Sequence, residues 1–138
     1  MVLIRLGGAA LNGSLAVLEH SGRRGHSSPL HVHHADDEAF VVMDGGLRVE
    51  VDGQTFAAGL GSAAALPRSR PHSFVVVSND ARFLAIHTPA GFDRFTRAGG
   101  IPEIDVAPPA GIAPADPAEL SLLAAQYGIE IIGPPPVA

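Results

Sequence analysis

Turn-forming residues break this chain at short intervals, and the pieces between them are too short for helices. Asp44-Gly45-Gly46, Asp52-Gly53, Gly59-Leu60-Gly61, Pro67 to Pro71 and Ser78-Asn79-Asp80 separate the apolar runs Glu38 to Met43, Leu47 to Val51, Gln54 to Ala57, Ser62 to Leu66, His72 to Val77 and Arg82 to Thr88. Short runs bounded by Gly, Pro, Asn and Asp read as strands, whereas a helix needs roughly 10 residues or more. Leu47, Val49 and Val51 alternate with Arg48 and Glu50, the period of a half-buried strand. Leu15 to His20 and Leu30 to His33 read as two earlier strands, with a polar loop, Ser21 to Ser28, near the rim between them. Sixteen glycines and twelve prolines in 138 residues fit one all-β domain, an antiparallel sandwich or small barrel.

After Thr88 the character changes. Phe92 to Ala98 reads as a short helix closed by Gly99, and Ile101 to Ala115 as irregular and proline-rich. Asp116 then caps a helix with Pro117 in its first turn and Glu119 three residues after the cap, running to a stop at Gly128. The expected organisation is therefore a barrel over residues 1–98, opened by a strand or arm, and a tail over residues 99–138. The tail carries one helix at about 116–127 that packs on the barrel as brace or lid.

Composition removes several function classes. The net charge is -5, with nine basic residues, all arginine, and no basic cluster beyond Arg23-Arg24, so the electrostatic footprint of a nucleic-acid binder is missing. Without cysteine there is no disulfide, zinc-thiolate site or thiol nucleophile, and any metal must be held by His and carboxylate. The apolar N-terminus is interrupted by Arg5 and Gly7-Gly8 and lacks a basic start, and no segment reaches the roughly 18 to 20 apolar residues of a membrane helix. The expectation is a cytoplasmic protein, with a homodimer through an exposed sheet edge as a ready form.

One stretch carries chemistry. In Gly25 to Gly45, His31 and His33 are two apart, so on a strand both imidazoles leave the same face and can converge on one ion. Glu38 lies at an odd offset from His33 and joins them only if a turn at Ala35-Asp36-Asp37 resets the parity. Phe40 and Val42 then share its face.

The pattern Gly25-x5-His31-x-His33-x4-Glu38-x6-Gly45, followed by Gly61-x5-Pro67-x-Ser69-x2-His72, resembles the two motifs of the cupin superfamily. Ser69 stands where the family usually has glycine, and Val76 where it usually has asparagine. The resemblance implies a double-stranded β-helix, an antiparallel jelly-roll barrel, holding one divalent metal on His31, His33, Glu38 and His72. Such a mixed N/O set suits Mn, Fe, Co, Ni, Cu or Zn. Val51 to Phe56, the His72-Ser73-Phe74 strand, the Thr88 to Phe92 exit and the Tyr127 to Glu130 tail resemble the small bacterial cupins grouped with quercetin 2,3-dioxygenase. That resemblance implies a dioxygenase that opens an aromatic enol or flavonol-like ring with Glu38 as ligand and base together. The alternatives are a non-oxidative metal-dependent cupin, such as a polyketide cyclase or isomerase, and a small-molecule-binding cupin without turnover.

Phe40, Val42, Phe74, Val76, Leu84 and His87 are candidates for the walls of a substrate pocket, or for ordinary core. His34 should point away from His33 into solvent. His20 and His26 are expected to be exposed, Asp36 and Asp37 to serve the turn, and Arg68 and Arg70 to flank their turn at the surface.

Overall fold

The computed structural model describes residues 1–100 and 116–138, so the irregular stretch expected at Ile101 to Ala115 lies outside the described residues. Among the described residues ten strands occur in chain order: β1 (Val2–Leu6), β2 (Ala16–Arg23), β3 (Leu30–His33), β4 (Asp37–Asp44), β5 (Gly46–Val51), β6 (Gln54–Gly59), β7 (Ala63–Leu66), β8 (His72–Val76), β9 (Asp80–Thr88) and β10 (Ile129–Gly133). Helices α1 (Phe92–Gly99) and α2 (Pro117–Ala125) follow β9, and a single 3-10 turn, Gly8–Leu11, links β1 to β2. The strands form two five-stranded sheets, ordered β1-β2-β9-β4-β7 and β10-β3-β8-β5-β6, and every named pairing is antiparallel.

Turn chemistry sets the register. Asp52 and Gly53 both have positive φ (51° and 76°), the conformation of the two-residue hairpin turn that matches strand twist, and β5 and β6 pair from Val51↔Gln54 onward. At Gly45 (φ +73°) a Cβ would fall 2.1 Å from the Asp80 carbonyl oxygen, so only glycine fits between β4 and the β8–β9 turn.

Side-chain parity decides what faces the interior. On β4, Glu38, Phe40 and Val42 are buried while Ala39 and Val41 are not; on β9, Ala81, Phe83, Ala85 and His87 are buried. Phe40, Val42, Leu47, Val49, Leu66, Phe74, Val76 and Phe83 pack into one cluster between the sheets. Leu84 does not join it. It lies three residues from His87, an odd offset, and is half-buried on the opposite face of β9, where it pairs with Glu19 and Val41; the inward residue is Phe83.

Two further segments depart from expectation. Gly25 to Ser28, read as loop, continues the ladder along β8: Gly25 N donates to Val76 O, Val76 N to His26 O, and Ser28 N to Phe74 O. The tail supplies a strand as well as a helix. The Asp116 side chain accepts from Ala118 N at 2.8 Å with Pro117 in the first turn of α2, and Gly128 (φ +74°) then turns the chain into β10. β10 pairs with β3 in the register Ile129↔His33 and Ile131↔His31, backing the strand that carries both histidines. Among the described residues no helix is long and apolar enough to cross a membrane.

Candidate metal centre

The site lies between the sheets. His31 and His33 come from β3 and His72 from β8 in one sheet, and His31 and His72 are direct cross-strand partners. Glu38 comes from β4 and His87 from β9 in the other sheet, and they too are cross-strand partners. The bend that resets the parity covers His34 and Ala35, and Asp37 already belongs to β4. His31, His33, Glu38 and His72 are all buried, and each offers a ligand atom within 4.8 Å of the others.

The residues behind the imidazoles aim them. His31 Nδ1 lies 2.7 Å from the Pro29 carbonyl oxygen, which can only accept, so that nitrogen carries the proton. His33 Nδ1 lies 3.1 Å from Asp36 Oδ1, and His87 Nδ1 lies 2.7 Å from Asp36 Oδ2. Burial would raise the Asp36 pKa, but the hydrogen bonds from His33 and His87 outweigh it and bring the carboxyl down to about 2. A carboxylate accepts, so both Nδ1 atoms donate. The Nε2 atoms of His31 and His33 then carry lone pairs and face each other 3.1 Å apart.

Two lone pairs at that distance repel unless a cation lies between or beside them. The orphaned atoms point the same way: His72 Nε2 and Glu38 Oε2 are 3.0 Å apart without the alignment of a hydrogen bond, and both are buried and unpartnered. Burying such groups unpaired costs several kcal/mol (about 2 to 7 each), and one divalent cation would satisfy all four donors at once. The donor set fits a metal of the Mn to Zn series.

Electrostatics agree with an ionised carboxylate beside a neutral His31. Burial pushes Glu38 up, but His87, His72 and His33 outweigh it and hold the carboxyl well below its usual value. Burial, reinforced by His72 and His33, pushes His31 down to about 4. Burial also opposes charge on His87, but Glu38 and Asp36 outweigh it and raise its pKa.

Asp36 and His87 are the residues that sequence reasoning undervalued. His87, one of the pocket candidates, is fully buried with Nε2 at 3.3 Å from Glu38 Oε1, and its ring is covered face-on by Phe92 (centroids 4.4 Å apart, 12° between planes). Asp36 is buried as the bridge between His33 and His87. The other four pocket candidates inside the barrel, Phe40, Val42, Phe74 and Val76, pack against one another as core below the site.

The remaining histidines divide. His34 is exposed as expected and pairs with Glu130 of β10 at 2.9 Å. His20 is buried, stacked on Phe83 at 4.9 Å with Nε2 unpartnered, because the Ala16-Leu18-His20 side of β2 faces inward. His26 is half-buried over Gly22 and 5.7 Å from the Phe74 ring. Arg68 and Arg70 pair with Asp37 and Asp52 at the surface.

Known proteins agree with this architecture. Residues 23–87 match the Cupin_2 family, described as "Cupin domain", a span that contains His31, His33, Asp36, Glu38, His72 and His87. Quercetin 2,3-dioxygenase of Bacillus subtilis is 35% identical over 65 residues, which are 47% of this chain and 19% of that protein, so the chain aligns with about a fifth of its relative's length. Among solved structures, KdgF from Halomonas sp. aligns with a TM-score of 0.61 at 22% identity over 67% of this chain and 81% of its own. A predicted oxalate decarboxylase from Thermotoga maritima also aligns with a TM-score of 0.61, at 20% identity over 64% of this chain and 78% of its own. The two-sheet barrel, the paired motifs and the family match together identify residues 23–87 of this chain as a cupin domain.

Proposed function

We propose that the chain is a metal-dependent dioxygenase of the quercetinase-like type, opening an aromatic enol or flavonol-like ring. The observation that carries this reading is the buried convergence of His31, His33, His72 and Glu38, with Glu38 Oε2 and His72 Nε2 unpartnered and the Nε2 atoms of His31 and His33 facing each other at 3.1 Å. The partial identity to the Bacillus subtilis quercetin 2,3-dioxygenase supports the choice of chemistry. When bound on these four residues, a divalent transition metal would supply Lewis acidity toward an enol oxygen and, where redox-active, access to dioxygen.

The chain's own groups have separable tasks. Glu38 accepts the enol proton on a carboxylate that its neighbours keep ionised. Asp36 holds His33 and His87 in the tautomer that presents Nε2 to the interior. Phe92, stacked on His87 and 5.4 Å from the His33 ring, keeps water from that side.

A second reading has one observation in its favour. The unpartnered atoms of Glu38, His72 and His87 are shut off from solvent, and Phe40, Phe74 and Phe83 fill the barrel below them. A cupin that holds its metal, or a small molecule, without oxygen chemistry would look the same. Turnover of quercetin by protein loaded with Mn, Fe, Co or Ni, in air and without oxygen, separates the two. Loss of the flavonol absorbance only in air supports the dioxygenase; loss in both conditions favours Lewis-acid chemistry; no loss with any metal leaves the binding protein.

A further inference from the structure

We propose that the cleft between the start of α1 and the Gln126–Gly128 turn binds a planar aromatic carboxylate, with Arg94 as its anion contact. This goes beyond the functional reading above and does not rest on it, since Glu38 is not among the residues lining the cleft. The cleft has a volume of about 430 Å³, within the range of small-molecule sites, and Pro89, Phe92, Arg94, Gln126, Tyr127 and Asp36 line it.

Its position ties it to the candidate metal centre. Asp36 forms part of the wall and bonds directly to His33 and His87, so one side chain separates the cleft from the imidazoles of the candidate centre. Rings run outward from there in steps: His87 to Phe92 at 4.4 Å, Phe92 to Phe95 at 5.3 Å, Phe95 to Tyr127 at 6.0 Å. Phe92 and Tyr127 both face the cleft, which gives a flat ligand two aromatic surfaces to pack on.

The charges select the sign. Arg5, Arg68, Arg70, Arg82 and Arg97 each pair with a carboxylate, whereas Arg94 pairs with none among the described residues. Its guanidinium lies over Gly91, where even a Cβ would stand 3.8 Å from Nη2. The acid in the cleft is already matched, since His33 takes one Asp36 oxygen and His87 the other. An entering anion therefore meets one cation that has no carboxylate partner among the described residues, and apolar rings beside it. A guanidinium binds a carboxylate through two parallel hydrogen bonds, which orients the ligand with its acid outward and its ring toward Phe92.

The test compares 2-naphthoate with the neutral isostere 2-naphthamide on full-length protein loaded with redox-inert Zn and on the same protein stripped with EDTA. Tyr127 is the single tyrosine, so the ring resonances of tyrosine-labelled protein report on the cleft directly. The expected result is a preference of about tenfold or more for naphthoate in both samples, with the Tyr127 signals shifting along the titration. R94Q should abolish the preference and R94K retain part of it. Equal affinities, a preference that survives R94Q, a preference that vanishes on metal removal, or binding that leaves Tyr127 unmoved would each overturn the proposal. Because Zn carries no oxygen chemistry, naphthoate binding without quercetin turnover sinks only the dioxygenase reading, and turnover without naphthoate binding sinks only this one.

Discussion

Asp36 Oδ2 stands 2.7 Å from Nδ1 of His87, and that contact ties the link between β3 and β4 to the strand beside Glu38. The other oxygen, Oδ1, receives His33 Nδ1, so one carboxylate orients an imidazole in each sheet. Asn at this position offers one oxygen and would turn its amide hydrogens on the second Nδ1–H. Asp36→Asn should therefore fold but hold metal roughly 10- to 100-fold more weakly, as measured by competition with a chromogenic chelator. Wild-type affinity in this variant would show that the histidines are oriented without Asp36.

Metal and fold are coupled because the ligands come from both sheets. His31, His33 and His72 lie on one sheet and Glu38 on the other, so the set assembles only when the barrel closes. A ligand that binds only the folded chain stabilises it by about 4 kcal/mol at a thousand times its Kd. Calorimetry of protein saturated with Zn and of the EDTA-treated form should show a clearly lower melting temperature for the latter. Identical melting curves would mean that the buried cluster is satisfied without an ion.

Much of this arrangement could be read from residue spacing alone, and the gaps have physical causes. His31, His33 and Glu38 are local in sequence, so period and turn chemistry place them; His72 follows from the second motif. The role of His87 depends on the pairing of β9 with β4, which no local pattern specifies. Its parity with Phe83 and Ala85 was nevertheless visible, and it excludes Leu84 from the same face. His20 likewise follows Ala16 and Leu18 at even spacing, and strand-end position is a poorer guide to exposure than that alternation. β10 is five residues long and gains its stability from the edge of β3, so Ile129-Glu130-Ile131 signals a strand only faintly.

Buried His20 should make the fold acid-sensitive. Burial is the largest cause, and it lowers the pKa from 6.5 to about 4. The unfolded chain then binds a proton at a pH where the folded chain does not, so this contribution is complete above about pH 6.5. It is lost as the pH falls toward 4, amounting to about 3 kcal/mol across the window. Urea titrations of EDTA-treated protein at several pH values should show His20→Phe losing less stability over that range than wild type. Parallel pH profiles would mean that His20 is protonated inside the fold.

Ser69 adopts φ +63°, left-handed backbone in a position where glycine is usual in the family, while its amide donates to the His33 carbonyl oxygen at 2.7 Å. A side chain there costs roughly 1 to 2 kcal/mol against glycine, offset in part by the greater freedom of an unfolded glycine. Ser69→Gly should be at least as stable as wild type in urea, and Ser69→Val less stable by about 1 to 2 kcal/mol, the branched residue tolerating this conformation worst. A stable valine variant would show that the turn relaxes without the left-handed residue.

Glu38 combines two duties that a single substitution can separate. As a ligand it adds one oxygen to three imidazole nitrogens, and as a base it must accept a proton. Glu38→Gln keeps a neutral oxygen beside the histidines but removes the charge and the basicity. Some metal should remain after gel filtration, carried by His31, His33 and His72, while ring-opening turnover per bound metal should fall by roughly 10²-fold or more, the range for loss of a general base. The Tyr127 resonances should still respond to naphthoate, since Glu38 is not among the residues lining the cleft. Loss of metal together with activity would make Glu38 chiefly a ligand, and unchanged turnover would take it out of the chemistry altogether.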